Sequence, residues 1–138
     1  MPHGTDSHLV KTAHKKTKYT RNQAEHLEKC LDPGSGPLHF MSNFVYIQHP
    51  VQGRLLFEPY DFQHDLIDNY HKYRFSINMC ARQMGKTTVA AGYLLWFAMF
   101  KPDSTILIAA HKYAGAFEIM TRLRFIYETL PNYIRAGC

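Results

Sequence analysis

Cysteine is scarce in this chain of 138 residues, and it has none of the spacings that a zinc site or a disulfide framework requires. Cys30, Cys80 and Cys138 are far apart and odd in number, and none belongs to a C-x-x-C pair. Nine histidines are present, but no two show H-E-x-x-H spacing and none flanks a cysteine at zinc-finger spacing. We therefore expect no histidine or cysteine metal site, no disulfide framework and a reducing compartment.

A secretory signal and a membrane-spanning run are also missing from the sequence. The first residues, MPHGTD, are not followed by the apolar core of a signal peptide. The most apolar segment, residues 89–100, is too short to cross a bilayer and is predicted to form a buried helix. These absences predict a soluble protein without a membrane partner.

The formal net charge of +5 favours an anionic partner but does not identify one. Five of the sixteen lysines and arginines lie between Lys11 and Arg21, within a polar stretch that we predict to be a disordered basic arm, residues 1–19. Such an arm could contact nucleic acid or be a solvated tail. The tail is the favoured interpretation.

The most informative stretch is RQMGKTT, residues 82–88, which we term the Gly-Lys-Thr turn. An apolar segment, residues 75–80, precedes it, and the apolar residues 89–100 follow it. Strand, turn and helix in this order form the setting in which Gly-Lys-Thr binds phosphate. Backbone N–H groups and the helix dipole favour an anion there. We expect Lys86 to reach the β- and γ-phosphates of ATP and the Thr87 hydroxyl to ligate Mg²⁺.

The turn departs from the usual pattern G-x-x-x-x-G-K-[ST] at one position. Gly85 occupies the second glycine position, but Cys80 stands where the first glycine is expected. The alternative is an ordinary glycine turn with a solvated lysine. That alternative leaves unexplained why the turn lies between two apolar segments.

The part that precedes the turn is predicted to hold a helix and a strap, residues 20–58. Residues 20–23 form a capping-box pattern that begins a helix over residues 21–31, and the prolines and glycines of residues 32–37 end it. Residues 38–57 are aromatic and β-branched, which predicts a small hairpin or a packed strap with its turn at residues 49–53.

A further helix is predicted over residues 59–72, where apolar residues recur at helical spacing. Gln63 lies on it, upstream of the Gly-Lys-Thr turn. Its amide both donates and accepts, which matches the adjacent N6 donor and N7 acceptor of adenine. Gln63 is therefore a candidate adenine contact, and the alternative is a surface helix residue.

Downstream of the turn, residues 105–110 form a continuous apolar run, which is typical of a strand buried in a parallel sheet. His111 and Lys112 follow at its end, where ligand-binding residues of open α/β sheets collect. A helix with an apolar core-facing stripe is predicted over residues 113–130. The prediction is an α/β fold: the first part of a P-loop NTPase domain, residues 59–138, with a parallel sheet flanked by helices.

Together these motifs resemble the large terminase subunit of contractile-tailed bacteriophages. The resemblance is carried by Gln63 in Pro-Tyr-x-x-Gln, by residues 81–88 and by residues 108–112, with a weaker similarity over residues 43–53, and it extends over residues 20–138. That family packages viral DNA with an N-terminal ATPase and cuts the DNA concatemer with a C-terminal nuclease. In it, the missing first glycine of the turn is normal.

The resemblance implies a role for individual residues. Lys86 would bind phosphate during catalysis and Thr87 would hold Mg²⁺, while Gln63 would contact adenine. Arg82 would be an arginine finger supplied in cis, or would bind phosphate in the ground state, and the two roles stay open. The nucleotide-binding set would comprise Gln63, Gln83, Gly85, Lys86, Thr87 and Thr88.

The resemblance also implies partners and a location. Double-stranded DNA, a portal protein and a small terminase subunit would be the partners of a homo-oligomeric ring on the procapsid, in the host cell cytoplasm at the portal.

Catalytic carboxylates are absent from the pattern. A phosphate-loop hydrolase needs an acidic residue after an apolar strand, but none of the eleven acidic residues follows an apolar run of four. We therefore expect an N-terminal fragment that stops before those carboxylates and that hydrolyses ATP negligibly by itself. The alternatives are a superfamily-two helicase-like ATPase and a non-hydrolysing nucleotide-binding module.

Overall fold

The computed structural model describes residues 16–82 and 85–136. Most of the predicted basic arm and Gln83 therefore lie outside the described residues. The described part contains five helices and two strands, in the order α1 Arg21–Leu31, α2 Gly36–Phe44, β1 Tyr46–His49, β2 Gly53–Leu56, α3 Asp61–Lys72, α4 Lys86–Phe100 and α5 Tyr113–Thr129.

Helix α1 begins and ends where the sequence predicts. The Thr20 hydroxyl accepts the Gln23 N–H at 3.4 Å, and the Gln23 side chain accepts the Thr20 N–H at 3.0 Å, so both halves of the capping box form. Beyond the helix, the Asp32 carboxylate accepts the N–H groups of Ser35 and Gly34. These two bonds lower the pKa of Asp32 because they stabilise its charged form.

Helix α2 corrects the prediction that residues 38–57 form only a hairpin or strap. Its buried residues Pro37, Phe40, Met41 and Phe44 recur at three- and four-residue intervals, which gives a helix one apolar face. Pro37 lies in the first turn, where the missing N–H costs no intrahelical bond. The helical spacing of the buried residues therefore outweighs their aromatic character.

The predicted hairpin is confirmed over the second half of the same segment. Strands β1 and β2 pair antiparallel, with Ile47 opposite Leu55 and His49 opposite Gly53. Gly53 has a φ of +71°, a conformation that glycine adopts without strain. The His49 ring nitrogen accepts N–H groups of the turn, from Val51 at 3.2 Å and from Gln52 at 3.1 Å.

Helix α4 is the centre of the core and packs against α2, α3 and α5. Trp96 is buried, and its indole N–H donates to the Cys30 carbonyl oxygen at 2.8 Å, which joins α4 to the end of α1. The chain passes close to this bond at Gly36, where an added Cβ would lie 2.5 Å from the Cys30 oxygen. The prediction that the apolar run after the turn forms a buried helix is confirmed.

The two apolar segments on either side of α4, residues 75–80 and 105–110, contain no assigned strand. Some of their apolar side chains are open to solvent, Ile77 at 95% and Leu107 at 90% exposed, whereas Cys80, Ile106 and Ile108 are half-buried. The structure therefore does not show the parallel sheet that is predicted for these two segments. A parallel strand is buried only when further strands and covering layers meet it, and the described residues place none there. The fold that the structure defines is a mixed one, helices with a small two-stranded antiparallel sheet.

Helix α5 forms as predicted, but its apolar stripe is only partly core. Ile126 is buried and Leu130, just after the helix, is buried too, whereas Met120 is exposed. In the part of the chain that the structure describes, no helix is both long and apolar enough to cross a membrane.

Candidate functional site

The last three residues of the Gly-Lys-Thr turn, Lys86 to Thr88, form the first turn of α4. Gly85 is the N-cap residue, with φ +70° and ψ 14°, and its carbonyl accepts the Val89 N–H at 3.1 Å. Gly85 makes no side-chain cap, and the first turn of α4 carries no acidic residue. The N–H groups that precede the Val89 bond have no intrahelical acceptor, and they give this end a partial positive charge. This helix start therefore favours an anion.

Gln63 lies against the turn, although it belongs to a different helix. It is only 2% exposed, and a Cβ added at Gly85 would come within 2.6 Å of its amide nitrogen. Its amide oxygen accepts the Tyr60 N–H at 2.9 Å, which caps the start of α3. The alternative of Gln63 as a surface residue is therefore wrong. The structure brings together two members of the predicted nucleotide set, Gln63 and Gly85.

Lys86 is exposed, and its side chain points towards the end of the preceding apolar segment. Its ammonium group donates to the Cys80 carbonyl oxygen at 3.3 Å. The side chain thus joins the start of α4 to the end of the preceding apolar segment. Thr87 follows in the first helical turn and is half-buried. A lysine held in this way places its charge beside the helix start.

The remaining residues singled out from the sequence are Arg82, Gln83, His111 and Lys112. Arg82 is exposed in the turn that precedes Gly85, and Gln83 lies outside the described residues. His111 and Lys112 are both exposed at the start of α5, where Lys112 is the N-cap residue. Among the described residues, no hydrogen bond or ion pair joins this pair to the Gly-Lys-Thr turn.

Arg122 was not predicted as a site residue, but it reaches the first turn of α4. Its guanidinium donates to the Thr88 hydroxyl at 3.3 Å and to the Glu118 carboxylate at 2.9 Å. The sequence shows an acidic and a basic residue four apart on one helix, which indicates their own pairing. It carries no sign that Arg122 meets a threonine from another helix.

A groove of about 900 Å³ opens beside these residues, between the hairpin and α5. Its lining includes Thr88 and Arg122 at one side and His49 and Pro50 of the hairpin at the other. The groove shows that the first turn of α4 is accessible from the α5 side.

The chemical groups at the turn are of the types that bind phosphate and Mg²⁺. Backbone N–H groups and the Lys86 ammonium are donors for phosphate oxygens, and the Thr87 hydroxyl is an oxygen ligand of the type that Mg²⁺ accepts. Among the described residues, no group of three or more histidine, cysteine, aspartate or glutamate side chains is placed to hold a metal ion. A scan of the sequence against protein-family models finds no match.

Proposed function

We propose that this chain is the ATP-binding part of a terminase-like DNA-packaging motor, with the Gly-Lys-Thr turn as its phosphate site. The observation that carries the proposal is the left-handed Gly85 placed directly before an uncapped helix, with the Lys86 side chain pointing towards the end of the preceding apolar segment. A phosphate site needs this combination of convergent N–H groups and one mobile cation.

Each residue of the site has a role in this proposal. Lys86 exchanges the Cys80 carbonyl oxygen, its partner in the structure, for oxygens of the β- and γ-phosphates. The Thr87 hydroxyl is the ligand for Mg²⁺, which neutralises phosphate charge when bound. Arg82 is the candidate arginine finger, and Gln83 and Thr88 complete the nucleotide set with Gly85.

Gln63 supports the same proposal from the other side of the turn. Because its amide nitrogen lies beside Gly85, α3 is already seated against the phosphate site. Contact with adenine requires the amide to present both a donor and an acceptor, and the acceptor is at present engaged by the Tyr60 N–H. Adenine recognition by Gln63 therefore requires this capping bond to be shared or exchanged.

The motor and its partners rest on the sequence resemblance alone. In that proposal, ATP hydrolysis drives double-stranded DNA into a procapsid, and a homo-oligomeric ring works with a portal protein and a small terminase subunit at the portal. The apolar pattern of the sequence makes the two apolar segments strands of a parallel sheet in this proposal, and the resemblance gives the parent protein a DNA-cutting activity.

The direct test is nucleotide binding by the full chain, measured by titration calorimetry with Mg-ATP, Mg-ADP and AMP. The expected order is ATP and ADP well above AMP, because the site recognises phosphates. Lys86→Ala should weaken Mg-ATP binding by about tenfold or more, since it removes a charge-assisted bond. Lys72→Ala is the matched control, because Lys72 is an exposed lysine that pairs with Asp68 on α3. A folded wild-type chain that binds no Mg-ATP would overturn the proposal.

A further inference from the structure

We infer that Arg122 of α5 is a positioning residue for the Gly-Lys-Thr turn and acts through the Thr88 hydroxyl. The inference rests on the proposed function, since it concerns the affinity of the same phosphate site. Its basis is one contact between two helices: an Arg122 guanidinium nitrogen donates to the Thr88 hydroxyl at 3.3 Å, although the residues are 34 positions apart.

The guanidinium is held in place by its own helix. Glu118, one turn earlier on α5, accepts from two Arg122 nitrogens, at 2.9 Å and 3.4 Å. An arginine has a planar fork of donors, so its remaining N–H direction is fixed once the carboxylate is engaged. Glu118 therefore orients the Arg122 guanidinium towards Thr88, and the three residues form a chain of hydrogen bonds from α5 to α4.

Stability does not account for this arrangement. The Arg122 and Glu118 side chains are 47% and 61% exposed, and an exposed ion pair on one helix contributes little to folding. The Thr88 contact joins exposed atoms as well. The bond from Arg122 instead fixes the side-chain rotamer of Thr88, because a threonine in a helix otherwise divides between two side-chain rotamers.

Thr88 is the position where this geometry matters for the phosphate site. It lies in the first turn of α4, next to Thr87, and its N–H is among those that precede the first intrahelical bond. By bonding Thr88, Arg122 holds the start of α4 against α5 and adds a further cation at this end of the helix. Both effects favour a bound triphosphate.

The experiment measures Mg-ATP affinity of the full chain by titration calorimetry, together with the melting temperature. Arg122→Ala should weaken binding by about fivefold and leave the melting temperature near that of the wild type. Thr88→Val should weaken it similarly, and the double variant should be no weaker than either single one, because coupled residues are not additive. Arg122→Lys keeps the charge without the fork and should recover only part of the affinity.

Arg124→Ala is the matched control, because Arg124 is an exposed arginine on the same helix. If Arg122→Ala and Arg122→Lys bind as the wild type while Lys86→Ala does not, the inference is overturned and the proposed function stands. Equal losses in Arg122→Ala and Arg124→Ala, or fully additive losses in the double variant, overturn it as well. If the wild-type chain binds no Mg-ATP, the proposed function and the inference fall together.

Discussion

The core around α4 and the two apolar segments that flank this helix are built from similar residues but are packed very differently. Leu95 on α4 is 3% exposed, whereas Leu107 in the downstream segment is 90% exposed. Both leucines belong to continuous apolar runs of the sequence. The difference shows that an apolar run specifies burial only when a partner layer is available to it.

The difference in backbone hydrogen bonding between helices and strands explains why α4 is packed and the two apolar segments are not. A helix satisfies its backbone hydrogen bonds within one segment, so α4 needs only side-chain contacts from α2, α3 and α5. A strand leaves its N–H and C=O groups open until a neighbouring strand pairs with them. The hairpin finds such a neighbour across a short turn, but the two apolar segments do not pair with each other in the described structure.

The largest expected effect is the difference in stability loss between a leucine truncated in the core and a leucine truncated in an exposed segment. Leu95→Ala should lower the free energy of unfolding by about 2–5 kcal/mol, because it leaves a cavity in a close-packed core. Leu107→Ala should change it by less than about 0.5 kcal/mol, since an exposed side chain makes few contacts. Urea denaturation followed by the fluorescence of Trp96, the single tryptophan, measures both. A large cost for Leu107→Ala would show that this segment is packed in solution, as the proposed parallel sheet requires.

A second comparison is between two glycines at the α1–α2 junction, the exposed Gly34 and the buried Gly36 at the start of α2. Gly36→Ala should cost about 1–3 kcal/mol, because the new Cβ would lie 2.5 Å from the Cys30 carbonyl oxygen and 3.2 Å from a Trp96 ring carbon. Gly34→Ala is the control, since its Cβ would meet nothing closer than the Asp32 carboxylate at 3.4 Å. Denaturation midpoints measure the difference. Equal stabilities of the two variants would mean that α1 and α2 are less tightly joined than the structure indicates.

A third comparison is between alanine substitutions at two glycines with positive φ, Gly85 of the Gly-Lys-Thr turn and Gly53 of the hairpin. Gly85 and Gly53 have nearly the same positive φ, +70° and +71°, so alanine at either position should cost about 1–2 kcal/mol in backbone strain. Only at Gly85 would the Cβ also displace a neighbour, the Gln63 amide. Gly85→Ala should therefore be the less stable variant, and it alone should weaken Mg-ATP binding in calorimetry. If Gly53→Ala weakens binding equally, the effect belongs to global stability and not to the turn.

Local patterns in the sequence predict four of the helices and the hairpin, whereas the two strands predicted over residues 75–80 and 105–110 are not assigned. The capping box at Thr20, the hairpin turn ending at Gly53 and the helices that follow Tyr60 and Gly85 all form where the sequence places them. Each depends on residues within a few positions of one another. Helix α2 was missed because its aromatic residues favour strands by propensity, and only their burial reveals the helical spacing.

The residues of the candidate site also fall into two groups, those that a local sequence pattern predicts and those that depend on helix packing. Gly85, Lys86 and Thr87 could be identified from the sequence because the motif is contiguous. The closeness of Gln63 to Gly85 and the bond from Arg122 to Thr88 depend on how three helices pack, which no local pattern specifies. For Gln63 the signals were its amide chemistry, its position upstream of the turn and the resemblance to a known family, and for Arg122 there was none.

The smallest expected effect is a loss of stability in acid at the contact between α1 and α2. Ring nitrogens of His26 and His39 lie 3.2 Å apart, and His39 is half-buried. Burial, followed by the charges of His26 and Lys29, lowers the pKa of His39 below its ordinary value of 6.5. The unfolded chain therefore takes up this proton first, so the contribution is intact above pH 6.5 and is lost as the pH falls through the lowered pKa.

Urea denaturation at pH 7.5, 6.5 and 5.5 measures this loss. His39→Gln should flatten the decline in the free energy of unfolding between pH 7.5 and 5.5, because it removes the titrating group while keeping a polar side chain. His111→Gln, at an exposed histidine before α5, should leave the decline unchanged. If His39→Gln declines as steeply as the wild type, the acid sensitivity arises from a group other than His39. A flattened decline would show that even the well-packed region contains one contact that weakens with protonation.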